Sequence, residues 1–203
     1  MTNARTYGAV GLVLLAAVTA GCSGSSTGSG SGSASTSAPG NSAAPTESNP
    51  PGDIPDNQAY VAYRPTGAGF KIKVPEGWAR TQSDTATVFT DKLNHVRVEA
   101  GSASSAPTVA SVTKTVVPQL SGQVSKFSGA KVTQARRHAG PVVLLKYQGD
   151  SPTDPVTGKV VRDAFERYAF YRQGREVDLT LSGPVNADNV DPWRIISDSF
   201  TWQ

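Results

Sequence analysis

The stretch FKIKVPEGW, residues 70–78, carries the clearest structural signal in this chain. Phe70, Ile72 and Val74 alternate with two lysines, which is the period-two pattern of a β-strand with one buried face. A Pro-Glu-Gly turn follows, and Trp78 then supplies a large aromatic side chain for the core. The stretch therefore predicts a strand and tight turn packed on a hydrophobic core.

Similar strand patterns lie on both sides of this stretch, separated by turn residues. The segment 142–147 is almost continuously apolar, as expected for a strand buried on both faces, and we predict that it is central in its sheet. The two last segments before the C-terminal region read as a long hairpin turning at residues 173–174. The predicted strands are residues 60–64, 70–74, 85–90, 96–99, 131–138, 142–147, 160–172 and 176–182.

One helix is predicted between the two groups of strands. Its apolar residues recur at three- and four-residue spacing, and Thr108 is a suitable N-cap. Pro118 lies inside this pattern, where it lacks the N–H for a helical hydrogen bond, so we expect a kink or two short helices. The apolar stripe consists of Val109, Val112, Val116, Leu120 and Val124.

A second helix is predicted at the C-terminal end, with Asp191 as the N-cap and Pro192 at the first helical position. Trp193, Ile196 and Phe200 would form its buried stripe. The order of strands, helix, strands, helix predicts an α+β fold, in which helices pack on a twisted antiparallel sheet.

The N-terminal residues 1–21 have the layout of a signal peptide. Arg5 gives the positive start, and the apolar run 9–20 is shorter than the about 20 residues that span a membrane. The segment VTAGC, residues 18–22, resembles a lipobox, in which the cysteine is acylated and becomes the new N-terminus. The alternative is an ordinary secretory signal followed by a chance cysteine. We expect a diacylglycerol and acyl modification at Cys22, holding the protein on the outer side of the cell membrane.

Residues 22–53 are rich in Ser, Gly, Ala and Pro, which predicts a disordered tether. Residues 54–203 then form one domain of about 150 residues. Because Cys22 is the only cysteine, the chain has no internal disulfide, and the domain must be stabilised by its core.

Charge and residue inventory argue against several function classes. The formal net charge is only +3, and the densest basic cluster, residues 136–138, is too short for a nucleic-acid interface. His95 and His138 are far apart, lack partners at metal-ligand spacing, and are expected to be exposed. We therefore predict no catalytic residue, no metal site, no cofactor and no nucleic-acid partner. Two loops each contain a pair of carboxylates, Asp150 with Asp154 and Asp188 with Asp191. We interpret these residues as turn formers and helix caps.

Aromatic residues on both faces of the strand 160–172 are the weak candidates for a ligand site. Packing explains most of them, but those on a less covered face would line a groove. These candidates are Phe165, Tyr168, Phe170 and Tyr171. The arginines of this hairpin, Arg162, Arg167, Arg172 and Arg175, are expected on a solvated face.

Residues 70–78 are similar to the opening F-x-I-x-x-P-x-G-W hairpin of PsbP-like domains. The signal, tether and domain together resemble the LpqN/LpqT group of actinobacterial, especially mycobacterial, lipoproteins, and residues 181–184, 191–193 and 196–200 add to the likeness. The resemblance implies an α-β-α sandwich with a non-enzymatic binding or accessory role, and it supplies no catalytic residue.

Two functions are compatible with these features. The first is a membrane-anchored cell-envelope module that interacts with a protein partner. The alternative is a carrier or receptor for an apolar envelope small molecule or lipid, which requires a cavity of several hundred Å³ between sheet and helix. A hydrolase built on the loop carboxylates is a third and weaker hypothesis.

Overall fold

The computed structural model describes residues 50–203 apart from Asp84, Pro155 and Val156. The signal segment, Cys22 and most of the predicted tether lie outside the described residues. The strands are β1 Tyr60–Tyr63, β2 Phe70–Pro75, β3 Ala79–Gln82, β4 Ala86–Asp91, β5 Asn94–Ser102, β6 Ser128–Arg137, β7 Gly140–Asp150, β8 Arg162–Arg172, β9 Arg175–Pro184 and β10 Thr201–Trp202. The helices are α1 Val109–Ser111, a π-helical stretch Val112–Val116, α2 Val117–Gln123 and α3 Val190–Asp198.

Seven strands form a large antiparallel sheet in the order β3-β4-β5-β9-β8-β7-β6. The prediction that residues 142–147 are central was wrong, because β9 occupies the middle and β7 lies next to the edge strand β6. Strand β7 is nevertheless buried on both faces, since Val142 and Leu144 face one layer and Val143 and Leu145 face the other. Its continuous apolar sequence therefore reflects burial on both faces and not a central position in the sheet.

A small sheet, β1-β2-β10, packs with α3 against the first face of the large sheet. Phe200 lies at the centre of this layer, with its ring 5.3 Å from Phe70 and 4.0 Å from Phe170. Trp78 packs against the same core, as predicted. Strands β3 and β10 were not predicted, because they are short and owe their conformation to neighbouring strands.

The helical segment α1–π–α2 packs against the second face of the large sheet. Val112 is buried against Val143 and Leu145, while Leu120 packs at the margin of the same cluster. The layers are therefore helix, large sheet, and small sheet with α3, which confirms the predicted α+β sandwich. None of the helices in the described part of the chain is long and apolar enough to cross a membrane.

The helical segment starts and changes pitch near the predicted residues. The Thr108 hydroxyl accepts the Ser111 N–H at 3.0 Å, and the Ser111 hydroxyl accepts the Thr108 N–H at 2.9 Å, which closes a capping box. Ahead of Pro118, the Val117 N–H bonds to the carbonyl of Val112 in a π-helical turn. The expected division into two short α-helices is confirmed, and it occurs through this wider turn.

Helix α3 begins at Val190, with Asn189 at the N-cap, so the prediction of Asp191 as the cap was wrong. Asp191 lies in the first turn and pairs with Arg194 at 3.0 Å. The Asn189 side chain makes no cap hydrogen bond, because it is engaged in a buried amide network.

That network fastens the start of the domain to the large sheet. Asn189 Oδ1 accepts the Ile54 N–H at 2.8 Å, and its Nδ2 donates to the Gly52 carbonyl and to Asn94 Oδ1, each at 3.0 Å. Asn94 Nδ2 donates to the same Gly52 carbonyl at 2.9 Å. Gly52 and Asp53, which the sequence placed in the tether, are thus hydrogen-bonded parts of the folded unit.

Candidate ligand-binding groove

A groove of about 410 Å³ lies between the helical segment and the half of the second sheet face that the helices leave uncovered. The helices cover β6, β7 and β8, whereas β5 and β9 carry mainly polar side chains on this face. One wall of the groove is therefore helical and the floor is the sheet. The groove is lined by Val88, His95, Arg97, Glu99, Val116, Gln119, Leu120, Gln123, Tyr147, Pro152, Phe165, Arg167, Thr180 and Ser182.

The wall and the adjoining floor are apolar. Val116 and Leu120 project from the helical segment, and both pack beside Tyr147 and Phe165. The rings of Tyr147 and Phe165 stack with centroids 4.5 Å apart. Burial raises the pKa of Tyr147 to about 12, so its hydroxyl stays protonated at any physiological pH. These side chains offer an aromatic and aliphatic surface to a ligand.

The rest of the floor is charged but internally paired. Arg97 and Glu99 form an exposed pair at 3.0 Å, whereas Arg167 and Asp178 form a largely buried pair at 2.5 Å. Burial raises the pKa of Asp178 to about 7, outweighing the opposing effect of the Arg167 guanidinium. Arg167 was expected on a solvated face; this was wrong, since its side chain is only 16% exposed.

A second cavity, of about 420 Å³, adjoins the groove and shares His95 and Pro152 with it. Its walls come from the β4–β5 turn, the loop between β7 and β8, and the first residues of β8. Lys92 and Lys159 line it, together with the apolar side chains of Leu93 and Val161. The two cavities are therefore neighbours on the second face.

Asp163 lies in this second cavity and is the most unusual charged residue of the domain. It is 1% exposed, and its buried Oδ1 accepts no hydrogen bond. Burial raises the pKa of its carboxyl to about 6. A buried carboxylate of this kind is costly unless a donor reaches it.

His95, which lines both cavities, was expected to be exposed; this was wrong. The residue is half-buried, and desolvation lowers the pKa of its imidazole, so the ring is neutral at pH 7. His138 is exposed, as predicted. Sequence spacing could not reveal the setting of His95, because the loop that covers it follows more than fifty positions later in the chain.

The structure separates the aromatic candidates of β8. Phe165 lines the groove, while Tyr168 and Phe170 are buried in the core on the opposite face. The Tyr168 hydroxyl accepts from Arg137 Nη2 at 2.8 Å and donates to Glu166. Tyr171 lies at the hairpin end, where its hydroxyl accepts the Gly174 N–H at 3.1 Å. Phe165 is the member of this set that lines the groove.

The loop carboxylates have structural partners. Asp150 pairs with Lys126 at 3.0 Å, and Asp154 Oδ1 accepts the Thr157 N–H at 2.6 Å, closing its own turn. Within residues 50–203, leaving aside the few that are not described, no group of three or more His, Cys, Asp or Glu could hold a metal ion. Asp163 itself was missed, although the alternation of β8 places it on the same face as Phe165 and Arg167.

Similarity to proteins of known structure defines the fold. No model of a known protein family matches the sequence, and a comparison with characterised protein sequences finds no match. The solution structure of cyanobacterial PsbP (CyanoP) from Synechocystis sp. PCC 6803 superimposes with a TM-score of 0.53 at 15% identity, covering 72% of this chain and 94% of that chain. The chain therefore has a PsbP-like fold.

Weaker structural likenesses extend to two further proteins. LpqN, involved in cell envelope biogenesis of Mycobacterium tuberculosis, gives a TM-score of 0.44 at 14% identity, over 72% of this chain and 91% of that chain. The Ran-binding protein Mog1p of Saccharomyces cerevisiae gives 0.42 at 9% identity, over 64% and 79%. The function of this chain therefore has to be argued from the geometry of the groove.

Proposed function

We propose that the chain is a non-enzymatic binding lipoprotein of the LpqN/LpqT type, anchored at Cys22 on the outer side of the cell membrane, and that it carries or senses an amphipathic envelope molecule in the groove. The observation that carries this proposal is the groove itself. Its volume of about 410 Å³ falls within the range of small-molecule sites, and it lies between sheet and helix, where a carrier requires it.

The lining of the groove indicates the character of the ligand. Val116, Leu120 and Phe165 offer one apolar flank, while Thr180, Ser182 and the paired arginines offer a polar flank. A purely apolar molecule would leave the polar flank without partners, which costs free energy. A molecule with one apolar side and one hydrogen-bonding side, such as a lipid with a polar head, satisfies both flanks.

The charged residues of the groove support binding rather than catalysis. Arg97 is paired with Glu99 and Arg167 with Asp178, so each charge is held by a neighbour instead of being directed at a reacting atom. Burial lowers the pKa of the His95 imidazole, so this ring adds no charge to the groove at pH 7. This arrangement supports a non-enzymatic role.

The proposal is tested by native mass spectrometry on the full chain purified from its own host's envelope. We expect a bound small mass that dissociates on collisional activation. Gln119→Trp should abolish it, because Gln119 is exposed and lines the groove. Ser121→Trp is the matched control, since Ser121 is exposed on the same helix and does not line the groove.

Loss of the bound mass in the Gln119 variant, with the Ser121 variant unchanged, would establish the groove as the site. A bare wild-type chain, or a chain that carries a second polypeptide, would overturn the carrier function and favour the protein-interaction module. Circular dichroism of both variants confirms that each retains the wild-type fold.

A further inference from the structure

We propose that the cavity around Asp163 is a binding site for a primary ammonium group, carried by a ligand whose adjacent anionic group is met by Lys92 and Lys159. The inference rests on the proposed function and deepens it, because this cavity continues the groove through His95 and Pro152. It names the chemistry of the polar head whose apolar part lies against Phe165.

The first argument is the missing partner of Asp163. Its side chain is almost completely buried, lines the cavity, and has an oxygen, Oδ1, that no donor reaches. An uncompensated buried carboxylate lowers stability, whereas a charge-assisted hydrogen bond from an ammonium would satisfy it. A ligand that brings three N–H donors and a positive charge supplies what the folded chain lacks at this position.

The second argument is the charge of the opening. Lys92 and Lys159 line the same cavity and are both exposed, while the Asp154 carboxylate, which also lines it, accepts the Thr157 N–H at 2.6 Å. These side chains would repel a simple amine but attract a ligand that also carries a phosphate or carboxylate. Leu93 and Val161 make part of the cavity wall apolar. A less polar surrounding strengthens the attraction of Asp163 for the ammonium group and of the lysines for the anionic group. The combination selects a compact zwitterion such as a phosphoethanolamine group.

The third argument is the position of the cavity relative to the chain entry. Lys92 and Leu93 also line a smaller surface cavity formed with residues 50–53. The ammonium site therefore opens next to the point where the chain arrives from the segment that carries Cys22. The proposed ammonium site thus lies beside the first described residues of the folded domain.

The test uses nuclear magnetic resonance of the full chain, in which the ring protons of His95 report on the cavity and those of exposed His138 serve as an internal control. Glycerophosphoethanolamine should shift the His95 signals saturably. Glycerophosphocholine should not, because its quaternary ammonium has no N–H to donate. Asp163→Asn should weaken binding of glycerophosphoethanolamine by at least about tenfold, the value of a hydrogen bond to a charged group.

A second variant keeps the test decisive if Asp163→Asn perturbs folding. Lys159→Gln, at an exposed position, should weaken glycerophosphoethanolamine binding but strengthen the response to ethanolamine, because it removes a charge that repels a simple amine. Equal responses to the ethanolamine and choline compounds, or wild-type binding by both variants, would overturn the proposal. In that case a lipid still bound in the groove, displaced by Gln119→Trp, would leave the proposed function standing.

The source of the ammonium group is settled by vesicle sedimentation with a Cys22→Ser chain, which removes the contribution of the anchor. Pelleting with phosphatidylcholine vesicles only when they contain phosphatidylethanolamine would identify a lipid headgroup as the ligand. Binding of the soluble compound without such pelleting would support the site and assign it to a free zwitterion.

Discussion

The ion pair of Arg167 and Asp178 shows how single residues maintain the groove. Both side chains are less than 20% exposed, so removing Arg167 leaves the Asp178 carboxyl buried without its partner and raises its pKa further. We expect Arg167→Met to lower the free energy of unfolding by about 2–3 kcal/mol at neutral pH. Urea denaturation followed by tryptophan fluorescence measures this change.

Arg97→Met provides the matched comparison, because Arg97 pairs with Glu99 on the same face but both side chains are at least 40% exposed. Solvent screens such a pair, and we expect a loss below about 1 kcal/mol. Equal losses for the two variants would show that the buried pair contributes no more than a surface pair.

Asp163 should make stability depend on pH in an identifiable way. Burial raises the pKa of its carboxyl from 3.8 to about 6, so the folded state binds the proton more tightly than the unfolded state. The stability associated with the protonated form is therefore lost as pH rises from about 4 through about 6, at a cost of about 3 kcal/mol. Because the side chain of Asp163→Asn cannot titrate, the free energy of unfolding of this variant relative to wild type should be about 2–3 kcal/mol greater at pH 7 than at pH 4.

Unfolding curves at both pH values measure this gain, and other titrating groups such as His95 cancel in the difference between the two chains. A difference that is the same at pH 4 and pH 7 would contradict the assignment. Destabilisation by an unpaired carboxylate is typical of a site whose partner is supplied by a ligand.

At the scale of the elements, sequence periodicity predicted strands well but could not order them. Alternation in β2 and β9 specified which side chains are buried, because one-sided burial imposes period two. The pairing of β5 with β9, which places β9 in the middle, depends on contacts between distant segments. The start of α3 was missed by two residues for the same reason, since Asn189 is fixed by Gly52, Ile54 and Asn94.

The amide network between those elements gives a prediction of its own. Asn189→Ala removes the acceptor of the Ile54 N–H and the donor to Asn94 Oδ1, which leaves both groups without these bonds, while the Gly52 carbonyl keeps its bond from Asn94 Nδ2. We expect a loss of about 2–4 kcal/mol, together with faster hydrogen exchange of the Ile54 amide. Hydrogen exchange combined with urea unfolding tests both effects.

Asp191→Ala is the control for this prediction, because Asp191 lies in the same helix, is exposed, and pairs only with Arg194 at the surface. Its loss should stay below about 1 kcal/mol and leave the Ile54 exchange rate unchanged. Comparable effects of the two substitutions would mean that the network does not fasten the start of the domain.

At the scale of the whole molecule, the α+β class could be predicted but the groove could not. The order of strands and helices determines the layers, since each amphipathic element must bury its apolar face. The groove arises because the helical segment covers β6 to β8 and leaves the polar side chains of β5 and β9 open. Which half is covered depends on tertiary packing, and no pattern in residues 109–124 specifies it.

Membrane attachment is the remaining prediction at this scale, and it depends on the lone cysteine. If Cys22 is acylated, the full chain expressed in its host should partition into the detergent phase on Triton X-114 separation and carry a labelled fatty acid. Cys22→Ser should move the protein to the aqueous phase and abolish labelling, because at least two acyl chains are needed for stable anchoring. A serine hydroxyl cannot form a thioether, and Cys22 is the only cysteine of the chain, so no other position can be lipidated in its place.

The folded domain provides the internal control for this experiment. A substitution at position 22 changes none of the residues that line the groove, so we expect ligand binding there to be unchanged once the protein is soluble. If wild type and variant both remain aqueous and unlabelled, the N-terminal segment is an ordinary secretory signal and the binding module acts without an anchor. If the variant alone changes phase, the anchor confines the groove to the membrane surface, which raises the local concentration of any lipid ligand.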